Sequence, residues 1–164
     1  FKTEHTQKKK PRLEKGPIIV AVDTSGSMSG RPMQIAHAVL LQLLRLARKQ
    51  KRKVFLMSFS VGAKFLDLSL PRNWMRLKSF LENRFSGGTD GEEMLNLSIK
   101  MLQSKTFGMA DVLIISDFYF ALPNDSTWKK MLKEHGKGTC FYGLKIGSTD
   151  RLYDTILDKT WNIK

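Results

Sequence analysis

Residues 17–30, PIIVAVDTSGSMSG, constrain this chain more than any other stretch. Ile18 to Val22 is too short for a buried helix and rich in β-branched residues, which predicts a fully buried strand. The strand cannot continue past Asp23. Gly26 and Gly30 free the backbone, and Ser25 and Ser27 offer oxygen without bulk. A helical pattern opens at Arg31. Asp23, Ser25 and Ser27 therefore fall on a loop at the carboxyl end of a central strand, where open α/β sheets place their ligands.

The rest of the chain continues the alternation. A helix is predicted over 31–49, with Met33, Ala36, Val39, Leu40, Leu43, Leu44 and Ala47 at helical spacing and Pro32 in the first turn. A buried strand follows over 53–59 and a weakly alternating paired or edge strand over 63–68. A short helix over 71–81 leads to the loop Phe85-Ser86-Gly87-Gly88-Thr89-Asp90-Gly91. Then come a helix over 92–102, a buried strand over 111–116 ending in Asp117, and a helix over 123–134. A strand over 138–145, a short helix over 153–157 and an edge strand over 160–163 close the chain. Strands alternating with helices predict a mainly parallel sheet covered on both faces, with one antiparallel strand at the short second connection.

With 164 residues, the length suits one domain with a real core. No apolar run approaches the roughly 18 residues of a membrane span. The first residue is Phe1, and the expectation is a piece of a longer protein. The single cysteine, Cys140, rules out an internal disulfide; it is expected in the core and fits a reducing compartment. The net charge is +13. Part of it lies in a basic tail or linker over residues 1–15, and part in a patch of Arg45, Arg48, Lys49, Lys51, Arg52 and Lys53. Such a balance favours nucleic acid, anionic lipid heads or an acidic protein face. The plain alternative for the patch is a solvated helix end.

Parallel neighbouring strands would bring Asp23, Ser25, Ser27, Thr89 and Asp117 to one sheet edge. Two carboxylates and three hydroxyls, without thiol or imidazole, suit a hard cation such as Mg²⁺ or Mn²⁺ and suit zinc poorly. With only two formal negative charges, coordination positions would remain for water or for a partner's carboxylate. The plain alternative for Asp23 and its serines is helix capping. Asp90 is either a partner orienting the hydroxyls or an N-cap, and Glu92 and Glu93 suit the first turn of their helix without a metal role. Enzyme readings fail on their own terms. Met28 stands where a Gly-x-Ser-x-Gly elbow needs serine, no Gly-Lys-Ser/Thr phosphate loop exists, and His5, His37 and His135 lie away from the cluster. The chain is expected to bind and not to catalyse.

Asp23-Thr24-Ser25-Gly26-Ser27-Met28, Gly88-Thr89-Asp90 and Ser116-Asp117 together resemble the three loops of the metal-ion-dependent adhesion site (MIDAS) of von Willebrand factor A (VWA) domains. The resemblance covers residues 16–164. It implies a Rossmann-like α/β fold and a divalent cation, Mg²⁺ foremost with Mn²⁺ or Ca²⁺ as alternatives. It also implies that Ser25 and Ser27 bind metal directly, that Thr89 binds directly or switches between states, and that Asp23 and Asp117 act directly or through water. More narrowly, GPIIVAVDTSGSM, FSGGTD and ADVLIISDF resemble the C-terminal VWA domain of bacterial ViaA-type proteins. That resemblance implies a cytoplasmic adaptor or regulator of a MoxR-type AAA+ ATPase, with the partner supplying an acidic residue. The rival expectations are a nucleic-acid-associated VWA module using residues 45–53 and an adhesion-type ligand-binding domain.

Overall fold

A computed structural model describes residues 16–82 and 87–164. The expected tail over 1–15, with His5, and residues Phe85 and Ser86 of the glycine loop lie outside the described residues. Six strands form one sheet: β1 (Ile18–Asp23), β2 (Val54–Phe59), β3 (Ala63–Asp67), β4 (Asp111–Ser116), β5 (Phe141–Ile146) and β6 (Lys159–Ile163). Their order is β3-β2-β1-β4-β5-β6. All neighbours are parallel except β2 and β3, so the antiparallel strand sits at an edge as expected.

Alternation along β1 divides the core between the two faces. Ile19 and Ala21 pack with Phe55, Met57, Val112 and Ile114 beneath α3 (Gly91–Leu102) and α4 (Asp125–Gly136). Val20 and Val22 pack with Leu56 and Ile115 beneath α1 (Arg31–Lys49). The expected stripe holds for α1. Met33, Ala36, Leu40, Leu44 and Ala47 are buried, and Val39 and Leu43 flank them half-buried. Gly30 precedes α1 at φ 79, ψ −129, a conformation essentially restricted to glycine, and so permits the sharp entry from the Ser-rich loop.

Several boundaries differ from the sequence pattern for local reasons. The segment 71–81 is a 3₁₀ turn, Pro71–Arg76, running into α2 (Leu77–Glu82). Helix α4 starts after Pro123 because Asn124 caps it, accepting from Thr127 N–H at 2.9 Å. β5 starts late because the chain is still turning at Gly138 (φ 115), with Thr139 N–H bonded back to Glu134 O. Cys140 therefore lies just before the strand and is half-buried, not a core residue; Phe141 takes the core position. The last short helix is a 3₁₀ turn, Leu152–Thr155.

Candidate metal centre

Loops leaving the carboxyl ends of β1 and β4, and the segment 87–90 that leads into α3 and is bonded to Ser60 just past β2, lie at one edge of the sheet. In the first, Thr24 is fastened to β2, its N–H donating to Phe59 O at 2.9 Å and its hydroxyl lying 3.0 Å from that of Ser58. Asp23 is completely buried at the end of β1. Its Oδ1 accepts from Ser25 N–H at 2.9 Å, which folds the loop back over the strand end. A 3₁₀ turn, Gly26–Met28, follows and is anchored by the buried Met28 side chain. The turn brings Ser25 Oγ and Ser27 Oγ to 3.2 Å. Ser25 stands at the N-cap position of the turn but its hydroxyl makes no cap bond, Ser27 lies within the turn, and Gly30, which carries no side chain, caps α1. The capping alternative for these hydroxyls therefore does not hold.

The third loop completes the carboxylate pair. Ser116 Oγ donates to Asp23 Oδ2 at 2.6 Å and accepts from Phe118 N–H at 2.8 Å. Asp117 is buried beside it, accepting from Tyr119 N–H at 3.2 Å. Phe118 sits at φ 61, an uncommon conformation for a bulky residue. It is held there by its bond to Ser116 and by packing against Phe120 and Tyr153, with ring centroids at 5.8 and 5.2 Å. Phe120 in turn lies over Gly91, where a Cβ would come within 2.3 Å of its ring, so the α3 start and the third loop share one close contact.

Thr89 is tied to the same edge of the sheet through its backbone neighbours. Gly87 O accepts from Gly26 N–H at 3.3 Å, and Asp90 N–H donates to Ser60 O at the end of β2. Thr89 is half-buried between these two anchors. Asp90 is the N-cap of α3, accepting from Glu93 N–H at 2.9 Å. Glu92 faces α4 and accepts from Asn124 N–H at 3.0 Å and from the Thr127 hydroxyl. The structure thus gathers Asp23, Ser25, Ser27 and Asp117, and carries Thr89 on a loop pinned to the same turn.

Burial is the largest influence on the Asp23 carboxyl and raises it above its ordinary value; hydrogen bonds from Ser116 and Ser25 pull it back, and the nearby Asp117 pushes it up again. A cation beside both carboxylates would reverse the unfavourable part of this balance. All donors are oxygen, two carry charge, and the paired serine hydroxyls are free of capping duty. The residues fit a hard divalent ion. The sequence motif did not assign the Ser116–Asp23 bond, although a serine closing an otherwise apolar strand was its available signal.

The family model for the von Willebrand factor type A domain matches residues 18–119, well over half of the chain and all three loops. This chain belongs to the von Willebrand factor type A family. Solved structures agree on the fold. BatB from Bacteroides thetaiotaomicron, described as a conserved hypothetical protein, superposes with a TM-score of 0.61 at 19% identity, over 82% of this chain and 67% of that one. The SpRpn10 VWA domain gives 0.66 at 11% identity, over 91% and 87%. The pilus adhesin SpaC from Lactobacillus rhamnosus GG, in an open conformation, gives 0.63 at 15% identity; this chain covers 25% of SpaC, and 87% of this chain is matched. VWA domains are in general protein-interaction and adhesion modules. Among the described residues, no helix is long and apolar enough to cross a membrane.

Proposed function

We propose that this VWA domain is a metal-dependent protein-interaction module of the MIDAS type. Asp23, Ser25, Ser27, Thr89 and Asp117 would hold Mg²⁺, or Mn²⁺ or Ca²⁺ in its place, at the carboxyl edge of the sheet. A cation held there would supply the positive charge that an acidic side chain of a partner protein could meet. The observation that carries this reading is the Ser25–Ser27 hydroxyl pair, 3.2 Å apart, on the turn that also binds Asp23. The chain's own contribution is orientation: Thr24 fixes the turn to β2, and Ser116 fixes Asp23.

The function is binding and not catalysis. His135 lies beyond the opposite end of the sheet from the cluster, bonded to Asp158 at 2.8 Å, and His37 lies in the second turn of α1. Proton transfer at the cluster would have to fall to the carboxylates themselves. The ViaA-like stretches favour a MoxR-type AAA+ ATPase as the partner and the cytoplasm as the compartment. The test is capture of a purified MoxR-type ATPase on immobilised domain, with Mg²⁺ and with EDTA. Binding should need Mg²⁺ and vanish in Ser25→Ala and Asp117→Ala variants that melt like the parent. Equal capture in EDTA would contradict the reading.

A further inference from the structure

Exposed charge of one sign collects at the end of the sheet opposite the metal loops. Every helix between parallel strands runs back across the sheet, so helix carboxyl ends meet strand amino ends there. Arg45 and Lys49 stand in the last turns of α1, Lys51 and Lys53 between α1 and β2, Lys105 between α3 and β4, and Lys133 in the last turn of α4; all are exposed. The acids at the same end are engaged internally. Asp67 accepts from Ser69 N–H at 2.9 Å, and Asp111 faces Arg52 at 3.5 Å. Glu134 is buried against Lys137 at 3.0 Å, and Asp158 is bonded by His135 and by Phe141 N–H, both at 2.8 Å. The cations therefore face solvent with no acidic partner among the described residues.

We propose that this end is a second docking surface, independent of the metal, for the phosphate backbone of double-stranded nucleic acid. Protein interfaces are depleted in lysine and centre on apolar and aromatic anchors. Here five of these six cations are lysines, with Gln103 and Thr106 exposed beside Lys105, and the exposed large apolar side chains on the same segments include Leu46 and Met109, neither of them aromatic. Backbone binding requires only clustered charge, whereas single-strand binding also uses stacked aromatics. The cations extend from β2 across β1 and β4 to β5. At about 4.8 Å per strand spacing this is roughly 14 Å, enough to face about four phosphates of one strand.

The test is fluorescence anisotropy of a labelled 20-base-pair DNA duplex titrated with the full 164-residue chain. The salt would run from 50 to 200 mM KCl, with and without EDTA. The expected dissociation constant is about 10⁻⁴–10⁻⁶ M near physiological salt, with a log–log salt slope of about −3 to −4 and no effect of EDTA. Joint Lys49→Glu, Lys51→Glu and Lys53→Glu substitution should weaken binding at least about tenfold. The same charge change at the metal end (Arg31→Glu, Arg151→Glu, Lys164→Glu) should weaken it about twofold or less. Lys105→Glu with Lys133→Glu gives a second test on other elements, and thermal melts verify that each variant folds. Equal loss from both triple variants would reduce the effect to net charge and overturn the proposal. So would unchanged binding after reversal at residues 49–53, or competition by polyglutamate as strong as by duplex, which would assign the surface to an acidic protein. None of these outcomes bears on the cation site.

Discussion

Replacing Ser116 with alanine removes two hydrogen bonds from the centre of the candidate site. The hydroxyl donates to the buried Asp23 carboxylate at 2.6 Å and accepts from the Phe118 amide at 2.8 Å. A bond to a charged group contributes about 1.5–3 kcal/mol and a neutral one about 0.5–1.5 kcal/mol, so the variant should lose about 3 kcal/mol in the metal-free state. For a chain of this size that lowers the melting temperature by about 6–12 °C. The loss should also depend on pH. The Asp23 carboxyl is raised above 3.8, chiefly by burial, and the Ser116 bond is an opposing influence. A carboxyl raised in the folded state holds its proton more tightly folded than unfolded. Its contribution to stability is therefore full below the unfolded value and is lost as pH rises through the folded one. Ser116→Ala moves that loss to higher pH and adds to it. The difference between variant and parent should then be larger at about pH 7 than at about pH 4, because the Ser116 bond favours the charged form of Asp23. Thermal melts in EDTA at the two pH values measure this. A variant that melts with the parent at both would refute the assignment of Ser116 as the residue that holds Asp23.

Two further substitutions separate scaffold from site. Gly91→Ala would place a Cβ 2.3 Å from Phe120 Cδ2. It should cost about 1–3 kcal/mol in urea unfolding, more than the roughly 1 kcal/mol that alanine gains in a helix, and an unchanged midpoint would contradict the close packing. Glu92→Ala removes the carboxylate that accepts from Asn124 and Thr127 and should destabilise the fold by about 2 kcal/mol. Its cation affinity should stay within about twofold of the parent, measured by titration, since Glu92 faces α4; a tenfold loss would bring Glu92 into the metal set.

The strands were legible because parallel strands buried on both faces are continuous apolar runs, as Ile18–Val22 and Val112–Ile115 are. β3 was the weakest signal because only Leu66 of its five residues is buried. The 3₁₀ segments Pro71–Arg76 and Leu152–Thr155 were not separable from α-helix, since over four to six residues 3₁₀ and α-helix share nearly the same apolar spacing. Cys140 looked like core because it stands beside Phe141, yet it precedes the strand. At the site, Asp23, Ser25 and Ser27 were readable because they are adjacent in sequence. Asp117 was readable from its strand end. The bonds that orient them were not: Ser116 and Asp23 are 93 residues apart, and no periodicity records such a pair. The basic patch at 45–53 was visible as a local run, but its continuation to Lys105 and Lys133 required the topology.

Calorimetric titration of Mg²⁺ into the metal-free chain tests the central claim most directly. One ion per chain should bind the parent. Ser25→Ala and Asp23→Ala should lose that binding while keeping a cooperative melt. Binding that survives in both variants, or none in the parent at millimolar Mg²⁺ or Mn²⁺, would contradict a cation site built from Asp23, Ser25, Ser27, Thr89 and Asp117.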